Sequence, residues 1–246
     1  MKLIFKSCLG CFVFVVLIAI VIFLFRNQIF NQVVNILGYN KPKDLGISYT
    51  DADLKNMDET LGIEVQKITT EVPIQESLKF DGTKEVDSSF TNAEVTAQIN
   101  RWSEYWQYTP FKNMQFRVNS DNTVEASGVL DITRLNGFIS YFGYSSNDLD
   151  KGLEYIHAAN APELPIYLKG SAGVENNNLT LDLTSVEVYN FGLPADITAK
   201  AETGLEAIGE QVINKVEGLD IKKLEAKDGQ TYLSGIVPAT TVSQTK

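Results

Sequence analysis

The chain has 246 residues, 44% of them hydrophobic, and its 31 acidic against 21 basic side chains give a formal net charge of −10. That balance repels nucleic acid at long range, which excludes DNA or RNA binding as an expectation. Both cysteines, Cys8 and Cys11, lie near the start, so the rest of the chain can form no internal disulfide.

The first six residues are a short basic leader with Lys2 and Lys6, and residues 7–25 carry no charge. As a helix, that stretch spans ~28 Å, close to a bilayer hydrocarbon core. In lipid every backbone amide must be satisfied internally, so a helix is the form expected. The run ends in Phe23-Leu24-Phe25-Arg26, with bulky residues where a signal-peptidase site needs small ones, so an uncleaved anchor is expected. Leu9-Gly10-Cys11 is no lipoprotein site, because the apolar run follows Cys11. Cys8 and Cys11 read as membrane-facing filler, with juxtamembrane acylation as their other use. The dense leader faces Arg26, Lys41 and Lys43 across the span, and it places the main domain on the extracytoplasmic side. Residues 27–246 then carry 18 basic and 31 acidic side chains, a net charge of −13.

Ile29, Phe30, Val33, Val34 and Leu37 continue at helical spacing until Gly38 and Pro42 break the pattern. Tyr49-Thr50-Asp51-Ala52-Asp53-Leu54 and Phe90-Thr91-Asn92-Ala93-Glu94-Val95 share one helix-start chemistry. Each pairs a threonine cap with an acid three residues on and an aromatic staple. Helices are expected over residues 51–60 and 92–106. Between them, residues 65–80 lean towards strand, and Asp81-Gly82 suggests a hairpin over 79–86.

A hairpin is expected over 114–132 with its turn at Ser120-Asp121-Asn122, then helices over 135–142 and 148–159. Another hairpin spans 166–189, and a long helix covers 195–216 with Gly218 ending it. A last hairpin spans 221–237 around Asp228-Gly229, and the Thr- and Ser-rich tail beyond Pro238 is expected to be loose. Helix followed by antiparallel hairpin, three times over, is an α+β pattern with helices on one face of a curved sheet. The expected organisation is leader and anchor over 1–26, helical extension and linker over 27–43, and a small helix and hairpin region over 44–89. The main domain covers 90–238 and the tail 239–246.

Chemistry is scarce. The single histidine, His157, has no cysteine or second histidine with which to hold zinc, so no metal or cofactor is expected. Asn147-Asp148-Leu149-Asp150-Lys151-Gly152 lacks the oxygen spacing of a calcium loop. Gly170-Ser171-Ala172-Gly173 lacks the spacing of a nucleophile elbow and sits in a strand pattern. No phosphate-binding glycine loop occurs, so enzymatic activity is not expected. Aromatic residues are the one compositional feature: Trp102, Tyr105, Trp106, Tyr108 and Phe111 at the end of one helix, Phe138, Tyr141, Phe142 and Tyr144 at another. Two readings stand: helix-to-sheet core packing, or an apolar groove formed by Trp102, Tyr105, Trp106, Phe111, Phe138, Tyr141 and Phe142.

A resemblance adds to this. The motifs are Phe90-Thr91-x-Ala93-Glu94-Val95-x-x-x-Ile99-Asn100, Val186-x-Val188-x-x-x-Gly192-Leu193-Pro194, Gly218-Leu219-x-Ile221-x-x-Leu224 and Asp228-Gly229-x-x-x-Leu233-x-Gly235-x-x-Pro238. Over residues 90–238 the chain resembles the YpmS-like and LmeA-like envelope proteins, related in character to tubular lipid-binding domains. The resemblance implies a long curved sheet wrapped on a helix, a membrane anchor, and lipid or envelope binding without catalysis. The expected partners are the bilayer, through the anchor, and a lipid ligand or envelope proteins. The alternatives are an envelope scaffold with a solid core and, third, a membrane-tethered hydrolase using paired carboxylates.

Overall fold

A computed structural model describes residues 40–143 and 162–245, and within them two helices open as the threonines predict. Thr50 caps α1 (Asp51–Leu61) and Thr91 caps α2 (Asn92–Tyr105), each in a reciprocal capping box with Asp53 or Glu94. Only the second aromatic staple is buried: Phe90 joins the core beside Val95, whereas Tyr49 stays 43% exposed. Gly62 ends α1 in the left-handed region, at φ 60°. The third helix, α3 (Ile132–Tyr141), begins three residues earlier than expected. The Asp131 carboxylate accepts from the Thr133 N–H at 3.0 Å and so caps the chain directly where its strand ends. The long helix α4 covers Ala195–Lys215.

Among the described residues eleven strands accompany these helices: β1 (Glu64–Ile68), β2 (Leu78–Asp81), β3 (Lys84–Phe90), β4 (Phe111–Val118), β5 (Val124–Asp131), β6 (Glu163–Glu175), β7 (Asn178–Val188), β8 (Phe191–Gly192), β9 (Asp220–Lys227), β10 (Gln230–Val237) and β11 (Thr240–Gln244). Eight form one antiparallel sheet in the order β3-β10-β9-β6-β5-β4, with β7 on β6 and β8 on β7. Strand β6 pairs β5 over its first part and β9 over its last three residues. The tips of the β4–β5 and β9–β10 hairpins therefore meet, and the Asp228 N–H donates to Asn122 Oδ1 at 3.1 Å. The other three strands form a small sheet, β1-β11-β2, in which β1 runs parallel to β11. The fold is α+β with a mostly antiparallel sheet.

Two expectations are corrected. Residues 79–86 make no hairpin: β2 pairs β11 while β3 pairs β10. Gly82 (φ 65°) and Pro238-Ala239 bend the two neighbouring strands at the same level, and both cross from one sheet into the other there. The tail is not loose either. Thr240–Gln244 is the central strand of the small sheet, and Ser243 is 0% exposed. Its hydroxyl-rich sequence masked a strand that uses β-branched Thr240, Thr241 and Val242. These pairings tie residues 64–81 to the end of the chain, across the boundary expected at residue 90.

Helices lie along two edges of the large sheet. On α2, Asn92, Thr96 and Asn100 lie four residues apart, and each bonds both the N–H and the C=O of one β4 residue: Val118, Phe116 and Met114 respectively. Four helical residues rise about 6 Å and two strand residues about 6.7 Å, so the two spacings stay in step. At the other edge, the Leu183 N–H donates to Glu202 of α4 at 2.6 Å and the Leu181 N–H to Glu206 at 2.9 Å. Helices that satisfy edge amides deny them to foreign strands.

Among the described residues no helix is long and apolar enough to cross a membrane. The anchor expected over 1–26, its extension over 27–37, and the helix expected over 148–159 with His157 lie outside the described residues, as do Tyr144 and the Asn147–Gly152 stretch.

Candidate functional site

Strand register divides the large sheet into two unlike faces. Across the inner face, Phe116, Ala126, Leu168 and Val186 form one row, and Gly128, Ile166 and Val188 the next. Farther along, Val174 stands opposite Leu224, which stands opposite Leu233. Side chains alternate along each strand, so an apolar face this wide needs a cover. α2 covers it beside β4, and α4 covers it beside β7, where Ala201 packs with Leu183 and Val186. Between the two helices, Phe116, Ala126, Ile166 and Leu168 remain partly exposed, as does Leu224 on β9. On α4, Ile197, Leu205, Ile208 and Val212 are also only partly covered. Together they make a half-open aliphatic floor.

The predicted aromatic residues divide into three groups. Trp106, Tyr141 and Phe142 are packed into a cluster with Leu78, and Trp106 is 3% exposed. Its ring lies 5.0 Å from that of Tyr141 and 5.8 Å from that of Phe138, in edge and tilted contacts favourable to aromatic pairs. The polar atoms are tied as well: Trp106 Nε1 donates to Ser77 Oγ at 3.0 Å and the Tyr141 hydroxyl to the Leu78 carbonyl at 2.7 Å. Trp102 and Phe138 pack against this cluster from its rim. Phe111, opposite Leu130 on the inner face, meets the Phe138 ring edge-on at 6.1 Å and joins the aliphatic floor to the cluster. Tyr105 stands apart, with Lys67 Nζ 4.0 Å from its ring centroid and the Arg101 guanidinium 5.6 Å from it.

The outer face is polar and strapped. Residues 41–47 cross β7, β6, β5 and β4 without joining the sheet. Asn190 donates to the Lys41 carbonyl at 3.3 Å, and Lys43 pairs with Glu187 at 3.1 Å while lying over the Tyr167 ring. Leu45, 4% exposed, is clamped through its backbone: Gln115 Oε1 accepts its N–H at 2.7 Å and Arg117 donates to its carbonyl at 3.0 Å. The buried Glu125 carboxylate lies under this strap. It accepts from the Tyr167 hydroxyl at 2.5 Å, from Asn119 at 3.1 Å and from the Arg117 guanidinium. Burial alone would raise its pKa, but these hydrogen bonds and the guanidinium charge outweigh burial and hold the pKa below the ordinary value. Burial and the Glu125 bond push the Tyr167 hydroxyl up. Every group here has a structural partner, which makes this network a brace.

An open polar depression of 460 Å³ lies where residues 46–48, 91–93 and 228–230 meet. The polar atoms of Thr91 and Asn92 are already engaged with Glu94 and Val118, so the start of α2 serves its own fold. Among the described residues no group of three or more His, Cys, Asp or Glu side chains is placed to hold a metal.

Sequence reading missed the floor residues Ile166, Leu168 and Leu224, because alternating aliphatics in a hairpin look the same under a closed core or an open one. The spacing of Asn92, Thr96 and Asn100 could have revealed the α2 ladder, since polar residues four apart make a stripe with a purpose. Nothing in the strap sequence marked Leu45 as buried. Compared with protein-family models, curated proteins and solved structures, the chain finds no match.

Proposed function

We propose that this chain is a membrane-anchored, extracytoplasmic, non-enzymatic module that holds a lipid or another apolar envelope component against the inner face of its sheet. The half-covered floor between α2 and α4, with Phe116, Ile166 and Leu168 partly exposed, carries the reading. Covering apolar surface is worth about 25 cal/mol per Å², so an acyl chain laid along these residues gains affinity without any catalytic group. Phe111 and Phe138 would close one end of that path.

A second reading, an envelope scaffold with a solid core, draws on the tight packing of Trp106, Tyr141 and Phe142. Photolabelling separates the two. The full chain, reconstituted in phosphatidylcholine vesicles, is irradiated with a diazirine-bearing long-chain fatty acid, and labelled peptides are identified by mass spectrometry. Label on the peptides carrying Leu168 and Ile208, lost on Leu168→Asp, is the expected result. Label confined to residues 1–39 would end the lipid reading and favour the scaffold.

A further inference from the structure

We propose that α4 is a movable wall of the apolar floor, a lid whose release from β7 admits and discharges the ligand. This inference rests on the lipid-binding reading above.

The two helices beside the floor grip their strands differently. The side chains of Asn92, Thr96 and Asn100 both donate and accept, so each serves the N–H and the C=O of its β4 residue. Glu202 and Glu206 carry carboxylates, which accept and cannot donate, and they take the N–H groups of Leu183 and Leu181. The α2 edge is zipped on both strand groups and the α4 edge on one.

Both helices bury small or polar positions and leave larger apolar ones partly exposed, Val95, Ile99 and Trp102 on α2 among them. α2 buries Thr96, Ala97, Asn100 and Arg101 along its length, with Trp106 at its C-cap. The buried positions of α4 are the small Thr198, Ala201 and Gly204, while Ile197, Leu205 and Ile208 stay partly exposed. Leu205 packs against the cluster of Leu183, Val186 and Ala201, and Val212 against the aromatic cluster, yet both stay partly exposed, so α4 has apolar area left for a ligand to cover. Its C-terminal end is tied down, with Lys215 Nζ donating to Gln75 Oε1 at 3.1 Å and lying 5.0 Å from the Tyr141 ring centroid, so release swings the N-terminal part about that end. Pro194 precedes α4 with no side-chain cap bond, and Gly218 follows in the left-handed region at φ 79°.

A neighbouring pair on lid and strand supplies the test. A Cβ built on Gly209 would lie 3.7 Å from Leu179 Cγ, near enough for a disulfide after a small shift. The full chain carrying Leu179→Cys and Gly209→Cys, with Cys8→Ser and Cys11→Ser to remove the other thiols, is loaded with the diazirine fatty acid. It is then chased with unlabelled fatty acid and irradiated at intervals. We expect oxidation to lengthen the retention half-life at least tenfold and reduction to restore it. In a separate variant, Glu202→Ala with Glu206→Ala is expected to shorten retention several-fold. Equal half-lives in the oxidised and reduced forms would overturn the lid, with the lipid-binding reading intact. If the cysteine pair does not close or fold, the alanine pair decides alone, and unchanged retention overturns the lid. Absence of any labelling of the wild-type domain would overturn the lipid-binding reading instead.

Discussion

Asn100 on α2 and Met114 on β4 exchange two hydrogen bonds, N–H to Oδ1 at 2.9 Å and Nδ2 to C=O at 2.7 Å. The amide side chain does for the strand what a neighbouring peptide group would do. Thr96 and Asn92 repeat the relationship one and two helical steps away, so α2 stands in for the missing strand beyond β4.

Removing the buried asparagine rung should show this. Asn100→Ala leaves a buried N–H and a buried C=O of Met114 without partners, at about 1–3 kcal/mol for each. A loss of stability of about 2–6 kcal/mol is expected by urea unfolding. Glu210→Gln, at an exposed position on α4, serves as the control and should cost far less.

The strap should behave as a clasp. Leu45→Ala removes the one large buried side chain of residues 41–47, and Gln115→Ala orphans the N–H groups of Leu45 and Ile47. Each is expected to speed tryptic cleavage after Lys43 well before the sheet unfolds. Unchanged cleavage would show that the strap lies on the sheet without holding to it.

The Glu125 brace predicts a direction with pH. Its folded pKa lies below its ordinary value of 4.5, so the stability it contributes is complete above that value. As pH falls through the lower, folded pKa, that contribution disappears. Glu125→Gln should therefore lower stability at pH 7 and flatten the acid limb of the stability–pH curve below pH 4.5. An acid limb identical to that of the parent chain would assign the limb to other carboxylates, with Asp131, also lowered below its ordinary value, next in line.

Truncation tests the small sheet. Deleting residues 239–246 removes the strand to which both β1 and β2 are paired. A cooperative loss of structure is expected, visible as a red shift in tryptophan emission when Trp106 loses its cover of Ser77 and Leu78. A loose tail would leave both stability and emission unchanged.

Most of the secondary structure was legible in the sequence, because capping boxes, alternating aliphatics and Asp-Gly or Asn-rich turns are local signals. Thr50 and Thr91 begin helices where their chemistry says they should, and the hairpin from β9 to β10 turns at Asp228-Gly229 as read. Long-range pairing was not legible. Gly82 looks the same whether its flanking strands fold on each other or part company, and the strands that draw them apart, β10 and β11, lie far along the sequence. Thr241 and Ser243 read as polar tail because only their placement at the centre of a sheet makes them core. The aromatic residues showed that a large apolar cluster exists, but local pattern cannot say which rings face one another and which face a gap. That distinction rests on β6, whose aliphatics lie more than 20 residues beyond the last of those rings.

The pairing of β1 with β11 also bears on biogenesis. Ile68 accepts from the N–H and the hydroxyl of Thr245, 177 residues later. A nascent chain carrying α1 and β1 out of the ribosome has no partner for that strand until β11 has been made. Contacts of such span form slowly, because a large loop must close before they contribute. β1 and β2 therefore wait unpaired, and vulnerable to aggregation or proteolysis, until β11 reaches them.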